Sequence, residues 1–413
     1  MSDAPRRLRV RCCIVGGGPA GMLLGLLLAR GGVAVSVLEK HADFLRDFRG
    51  DTVHPSTLAI LDQLGLLDEF LRLPHRREQE IQIRFADGLR TFGEFRGLKP
   101  FDYLALVPQW DFLDLLADAG RALPGFDLRM RTEATALLRD AAGRVVGVRA
   151  QDDTGTLEID ADLVIACDGR RSRMRADAGL PVRDFGAPMD VLWFRLPRLP
   201  GDIDHTWGAP AQGRMLVMLD RNDYWQCAYL IRKGGDAALR RQPLQALRDL
   251  VAPLLPFAGD RMQALPDWAA VKTLEVSVDR LLRWHCPGLL CIGDAAHAMS
   301  PIGGVGINLA LQDAVAAANL LGPALRDGGA IDEALLARVQ QRRAWPTRVV
   351  QAVQRIAQAR IIAPLLDAPP GSLLRAPRLL AIASRFHLLR QLPARLFGYG
   401  IRRERVVFGL RTR

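Results

Sequence analysis

Gly16-Gly17-Gly18-Pro19-Ala20-Gly21 closes an apolar stretch at residues 9–15 and opens another at residues 20–30. The first stretch reads as a β-strand and the second as a helix. A second strand follows at residues 34–39, apolar almost throughout, as a parallel sheet requires. In such a unit Gly16 permits the tight turn, Gly18 leaves room for a pyrophosphate, and Gly21 lets helix and strand pack closely. The helix start at Pro19 and Ala20 then turns free N–H groups and positive partial charge towards the phosphates. Glu39 ends the second strand, about 20 residues on, where a carboxylate accepts hydrogen bonds from an adenosine ribose. Lys40 stands beside it. The charge of Glu39 argues against a ribose 2′-phosphate at this site.

Two further strings follow apolar strands. Asp168-Gly169-Arg170-Arg171-Ser172-Arg173-Met174-Arg175 comes after residues 162–166, and Gly293-Asp294-Ala295-Ala296-His297 after residues 288–292. The mid-chain carries no second GxGxxG, so one resident dinucleotide is expected, and any second one visits without a Rossmann domain of its own. Together the three strings resemble the fingerprints of the single-component FAD-dependent aromatic hydroxylases, the para-hydroxybenzoate hydroxylase-like family. The resemblance extends to Arg49, to Gln109-Trp110-Asp111-Phe112-Leu113 and to Pro301-Ile302-Gly303-Gly304-Val305-Gly306-Ile307-Asn308-Leu309. It covers most of the first three hundred residues and leaves the chain after Arg338 outside.

The resemblance implies a flavoprotein monooxygenase. NADPH or NADH would reduce FAD as a transient co-substrate. Dioxygen would then give a flavin hydroperoxide that hydroxylates a phenolic or quinone-like small molecule. FAD would be held by Gly16, Gly18, Pro19, Ala20, Gly21, Glu39 and Lys40, with Asp294 on the ribityl chain beside Gly293. Gln109 would hold the ribityl or ring edge. Pro301, Gly303, Gly304, Gly306, Ile307 and Asn308 would pass beside the ring. Asp168, Gly169 and Arg175 would shape the phosphate side and help receive the nicotinamide. Arg49 would sit near the pyrophosphate or a mobile ring; a solvated surface arginine is its rival reading. His54, Pro301, Gly303 and Gly304 are the flavin-proximal candidates, but no catalytic base is assigned. His297 reads first as a packing or hydrogen-bonded histidine. Two rival functions stay open: a reductase of polyprenyl or other double bonds on the same fold, and a non-catalytic flavin-binding regulator.

Composition sets outer bounds. The chain has 413 residues, 49% of them apolar, enough for two or three packed units. Its six cysteines lack disulfide or zinc spacing, so reduced thiols in a cytoplasmic protein are expected, with no metal. Hydrolase triads and HExxH are absent. Arg6, Arg7, Arg9 and Arg11 precede an apolar stretch, as in a signal peptide, but the glycines and Pro19 that follow favour strand–turn–helix. The longest apolar runs, such as residues 22–29, are too short to span a bilayer.

Net charge is +11, and from Arg338 onward sixteen arginines face only Asp367 and Glu404. No nucleic-acid motif accompanies them, so no nucleic-acid partner is expected. The basic tail has three readings: a solvated helical face, a subunit interface or support for the site in a monomer or homodimer, and peripheral contact with an anionic membrane. For the last, Phe386, Leu388, Leu389, Leu392, Leu396 and Phe397 interleave with Arg385, Arg390 and Arg395.

The expected fold is α/β: a Rossmann-like FAD-binding domain interrupted by an antiparallel-sheet substrate domain, with a helical C-terminal region. The expected boundaries are 1–74, 99–180 and 268–335 for the first, 75–98 and 181–267 for the second, and 336–413 for the third. Strands at 190–196, 214–219 and 224–231 are markedly apolar. This favours an extended, weakly polar aromatic substrate, with Met218, Tyr224, Trp225, Gln226 and Tyr229 as pocket candidates.

Overall fold

The strand Arg6–Val15 is central to the first sheet of the computed structural model, which describes residues 5–45, 52–257 and 259–410. It runs parallel to Val35–Leu38 on one side and to Gly155–Ala166 on the other, with Cys12 opposite both Val35 and Leu163. Phe126–Arg129 and Leu289–Cys291 continue the parallel set outward. Helices Pro19–Arg30, Gln109–Arg121 and Gly306–Asp327 pack against it, burying Leu24, Leu27, Leu163 and Val315 completely. Burial on both faces is why these strands read as unbroken apolar runs.

Gly155–Ala166 is a single strand that begins well before the stretch at residues 162–166 read from the sequence. Its first half alternates, with Glu158, Asp160 and Asp162 turned outward, and its second half is wholly buried. The outward acids break the apolar signal, and they also give the N-terminal arginines a cross-strand role. Arg7 meets Glu158 at 3.5 Å and Arg9 meets Asp162 at 3.4 Å, while Arg11 also reaches Asp162. Exposed pairs of this kind contribute at most about 1 kcal/mol each.

The second sheet has seven strands in the order Lys272–Leu274, Met189–Pro197, Tyr224–Arg232, Arg214–Asp220, Trp207–Ala211, Glu80–Phe85 and Gly88–Glu94. Lys272–Leu274 joins it from within the 268–335 stretch that the sequence reading gave to the cofactor domain. Trp207–Ala211 is not legible in the sequence, because Gly208 and Pro210 weaken any strand signal. Its parallel partner Glu80–Phe85 pairs only at Trp207 and Gly208, so Pro210 forfeits no bond there.

Side chains alternate across this sheet. One face carries Trp207, Met218, Trp225 and Tyr229 against Leu247, Val251 and Met262. The other carries Val191, Ala228 and Leu230, with Trp193, Met215 and Val217, towards Ile302, Leu366 and Leu374.

Two short helices, Pro55–Leu64 and Leu67–Arg72, are separated where Gly65 turns left-handed at φ 69°. Gly306–Asp327 runs through Pro323 and stops at left-handed Gly328. Ile302–Asp327 is long and apolar enough to cross a membrane, unlike the runs picked from sequence, but 72% of its apolar window is buried in the protein as core. Glu333–Ala357 continues through a π-turn, Gln358–Ile362, into Ala363–Asp367, and shorter helices Arg378–Ala383 and His387–Gly398 follow.

Candidate functional site

The three fingerprint loops converge at the carboxyl ends of the parallel strands. Gly16 has φ +107°, and a Cβ there would lie 2.4 Å from the Cys167 carbonyl oxygen, against the start of the Asp168 loop. A Cβ on Gly21 would lie 2.0 Å from the Gly16 oxygen. A Cβ on Gly293 would come within 3.4 Å of Ala20. At Gly18 a Cβ would meet nothing within 4 Å, so the space beyond it is open. The helix Pro19–Arg30 begins at Gly18 without a side-chain cap, leaving its first N–H groups to an anion. Glu39, 8% exposed, accepts from the Gly17 N–H at 3.1 Å and the His41 N–H at 3.0 Å, which fixes its carboxylate beside the glycine turn. Lys40 is exposed next to it.

Asp168 accepts from the Met174 N–H at 3.1 Å through one oxygen, while the other is buried without a partner. Burial pushes its pKa above the usual carboxylate value, against the pull of Ser172 and the neighbouring amides. Gly169 makes the turn at φ 84°. Arg175 braces the loop. Its guanidinium donates to the Arg170 carbonyl at 2.5 Å and the Ala295 carbonyl at 3.3 Å, and pairs with Asp279 at 3.2 Å.

Asp294 is held near the helix Gly306–Asp327. A Cβ on Gly306 would lie 4.0 Å from its Oδ1, and Arg170 approaches its Oδ2 at 3.5 Å. Behind it lies a buried network that the sequence did not reveal. Asp313 has no exposure. It accepts from the Gly293 N–H at 3.1 Å, from His297 Nε2 at 2.6 Å and from Arg343 Nε at 2.8 Å. Burial alone would raise its pKa, but His297 and Arg343 outweigh burial and hold it below the usual range. Arg343, also fully buried, pairs onward with Glu404 at 3.3 Å. His297 is thus a buried histidine hydrogen-bonded to Asp313, and one tail arginine is core. No motif marks Asp313 or Arg343, since one acid and one base far apart in sequence carry no periodic signal.

The loop expected beside the flavin ring is built of turns. Pro301 precedes a tight turn in which Gly303 and Gly304 have φ 78° and 61°. Gly303 lies under Phe397, and Gly304 faces Thr52 and His54. Asn308 accepts from the Thr57 hydroxyl at 2.6 Å and the His54 N–H at 3.2 Å. Ile307 packs at the edge of the first core. His54 Nδ1 donates to the Phe397 carbonyl at 2.9 Å, and Nε2 is buried without a partner. Burial lowers the His54 pKa to about 4, with main-chain groups of Phe397, Gly304 and Gly303 pulling the other way. His54 is thus neutral at neutral pH and sealed from solvent, a clip between loop and tail. Gln109 opens the helix Gln109–Arg121 after the strand Leu104–Leu106, which pairs with Thr52–Val53. Arg49 lies outside the described residues.

Three pocket expectations are corrected. Met218, Trp225 and Tyr229 are buried in the cluster on the sheet face away from Ile302. A strand's period of two sends alternate residues to opposite sides, and the sequence does not say which side is which. Gln226 shares the parity of Ala228 and Leu230 but is buried in a hydrogen bond from Arg221, and Tyr224 lies under the Arg195 guanidinium at 4.5 Å. The face turned towards Ile302 carries Trp193, Met215, Val217 and Leu230 instead. Phe397, read as part of an outer basic–apolar face, packs inward with Met299, Val305 and Leu309.

All six cysteines are free, and burial raises the pKa of each, Cys13 to about 12, so none is a ready thiolate. What remains is a dinucleotide cradle. The open space at Gly18, the uncapped helix start, the Glu39 carboxylate and Asp294 near a second uncapped helix start fit FAD.

Known proteins are similar in sequence and in fold. The family model for an FAD binding domain matches residues 9–353. The 6-methylpretetramide 4-monooxygenase of Streptomyces rimosus is 32% identical over 353 residues, 85% of this chain and 84% of its own. The 3-demethoxyubiquinol 3-hydroxylase of Escherichia coli is 27% identical over 368 residues, 85% of this chain and 89% of its own. In fold, a probable FAD-dependent monooxygenase from Pseudomonas aeruginosa superposes with a TM-score of 0.74 at 23% identity, covering 87% of this chain and 97% of its own. On these matches this chain belongs to the FAD-binding-domain family of flavoprotein aromatic hydroxylases, as an FAD-dependent monooxygenase.

Proposed function

We propose that this enzyme hydroxylates an extended, weakly polar phenolic or quinone-like ring, using NAD(P)H and dioxygen. The observation that supports this reading is the apolar sheet face, with Trp193, Met215, Val217 and Leu230, turned towards Ile302 and walled by Leu366 and Leu374. FAD, when bound, supplies the chemistry: it takes electrons from NAD(P)H and activates dioxygen for transfer to the ring. The chain's own residues do the rest. Gly16, Gly18 and the helix start at Pro19 receive the pyrophosphate, Glu39 takes the ribose, and Asp294 takes the ribityl hydroxyls. The N-terminus of Gly306–Asp327 directs positive potential at the ring end of the site, which favours an anionic ring. Phe397 and the sheet face exclude water, which would otherwise divert the activated oxygen to hydrogen peroxide.

The test is a panel of phenols and quinones, beginning with 6-methylpretetramide, scored for stimulated NAD(P)H oxidation under labelled dioxygen with mass analysis of the product. One labelled oxygen in the product is expected. Stimulated oxidation with no label in any product would overturn this reading. A double-bond reductase would consume NAD(P)H without dioxygen, and a flavin-binding regulator would respond to no substrate.

The cysteine chemistry supports a cytoplasmic location. Ile382, Phe386, Leu388, Leu389 and Leu392 are exposed, 44–73%, among exposed Arg375, Arg378, Arg385 and Arg395. This pattern supports peripheral contact with an anionic bilayer. Sedimentation with phosphatidylglycerol vesicles but not with phosphatidylcholine vesicles is the expected result, and equal recovery with both would rule it out.

A further inference from the structure

Four arginines gather beside the Asp168 loop. The two-stranded ribbon of Val182–Asp184 and Asp279–Leu281 brings Arg183 opposite Arg280. The guanidinium carbons of Arg183, Arg280 and Arg355 lie 5.2, 5.2 and 4.4 Å from the centroid of one ring, Phe185. Arg348 stands one helical stretch before Arg355 and is close enough to act on Arg280 electrostatically. Among the described residues, none of the four pairs with a carboxylate. The acids nearby are engaged elsewhere: Asp279 holds Arg175, and Asp184 accepts the Gly186 N–H. Arg183, Arg348 and Arg355 are exposed and Arg280 is half-buried.

Uncompensated like charges at this density repel one another and favour an anion between them. Burial and the three neighbouring guanidiniums lower the Arg280 pKa, which is the same repulsion seen from one member. The cluster is also wired to the cofactor site. Gln351 accepts from Arg280 at 2.9 Å and donates to the carbonyls of Asp279 at 2.7 Å and Ala298 at 3.1 Å. Asp279 in turn accepts from the Ala298 N–H at 3.2 Å. One end of this network is the Arg175 brace of the Asp168 loop, and the other lies three residues before Pro301.

We propose that Arg183, Arg280, Arg348 and Arg355 form the phosphate-binding site for the visiting nicotinamide dinucleotide. Guanidinium forks suit phosphate oxygens, and Phe185 presents a flat face among them. Among the described residues one glycine-rich helix start of Rossmann type is present, at Gly18, and the resident dinucleotide would take it, so the visitor needs its charge met by side chains. The inference rests on the preceding reading only in taking a nicotinamide dinucleotide as co-substrate, and no aromatic substrate enters its test.

The test uses the oxidised, FAD-loaded protein and direct calorimetric binding of NADPH, NADH, their oxidised forms and inorganic pyrophosphate. Arg183→Gln and Arg355→Gln, singly and together, are compared with the parent and with Arg241→Gln, an exposed arginine remote in sequence. Loss of a charged phosphate contact weakens binding roughly tenfold or more. The double variant is expected to raise the dissociation constant for the dinucleotide at least tenfold and to flatten its salt dependence, with FAD content and melting temperature as in the parent. A larger loss for NADPH than for NADH assigns the cluster to the 2′-phosphate, and an equal loss assigns it to the pyrophosphate. Dinucleotide binding within twofold of the parent overturns the proposal. So does a result in which pyrophosphate binding falls while dinucleotide binding is unchanged, since the site would then hold some other anion.

Discussion

At the scale of single residues, the glycine turn separates what the fold needs from what the cofactor needs. Gly16 has a left-handed φ, and a side chain there would collide with the Cys167 carbonyl. Gly18 has an ordinary extended conformation with φ −73°, and open space lies where a methyl would go. Gly16→Ala is therefore expected to destabilise the apoprotein by about 2 kcal/mol or more, and Gly18→Ala to leave its melting temperature nearly unchanged. The second variant should still lose FAD affinity, about tenfold, because the methyl fills space that only the pyrophosphate would use. Fluorescence titration of apoprotein with FAD, beside a thermal melt, separates the two. If Gly18→Ala binds FAD as tightly as the parent, the pyrophosphate does not pass there. Arg343 is the opposite case, a charge held entirely inside. Arg343→Met leaves Asp313 with a buried carboxylate opposed only by His297, and a loss of about 3–5 kcal/mol in unfolding free energy is expected by denaturant titration. A loss under about 1 kcal/mol would mean that His297 alone suffices.

At the scale of elements, the C-terminal helix His387–Gly398 belongs to the site. Its Phe397 covers Gly303, the Phe397 carbonyl holds His54, and Tyr399 beyond it is clipped to the main chain of Phe101. Glu94 anchors the near end through Arg390 at 2.8 Å and His387 at 3.0 Å. Phe397→Ala is expected to leave FAD bound but to admit water, so that hydrogen peroxide formed per NAD(P)H consumed rises severalfold while product falls. An unchanged ratio would show that Phe397 seals nothing. This role could not be read from the sequence. The glycine turn, the Asp168 loop and the Pro301 loop were legible because each needs particular residues at fixed short spacing. Phe397 and Arg343 serve through contacts with residues far away along the chain, and in sequence they stand only as members of an arginine-rich, apolar tail. The same limit explains Met218, Trp225 and Tyr229. The alternation of their strand was plain, but the side that faced the cofactor was set by how the second sheet docks on the first.

At the scale of the whole molecule, two buried groups tilt stability in opposite directions with pH. His54 has a folded pKa of about 4 against 6.5 for a free imidazole, so the folded state disfavours its proton and stability falls as pH drops from about 6.5 towards 4. Glu78 is the reverse. Burial raises its pKa from 4.5 to about 7, against the pull of Thr206 and Arg76, while its Oε1 accepts from the Thr206 hydroxyl at 3.1 Å and N–H at 3.2 Å. A raised carboxyl pKa means the folded state holds a proton that the unfolded chain releases. Its contribution is complete below pH 4.5 and is lost as pH rises to about 7. Glu78→Gln keeps the acceptor for Thr206 and removes the titration. The variant should therefore match the parent near pH 4.5, gain on it steadily to pH 7, and hold a constant lead above. At about 1.4 kcal/mol per unit the lead is up to about 3 kcal/mol, and in the variant Arg76 keeps Asp204 and Asp220 as partners. Denaturant unfolding of both proteins at half-unit steps from pH 4.5 to 8 measures it. A difference that does not change across that window would mean that Glu78 ionises as an ordinary surface acid, and that the second sheet closes less tightly over its edge than the burial of Glu78 and Asp220 implies.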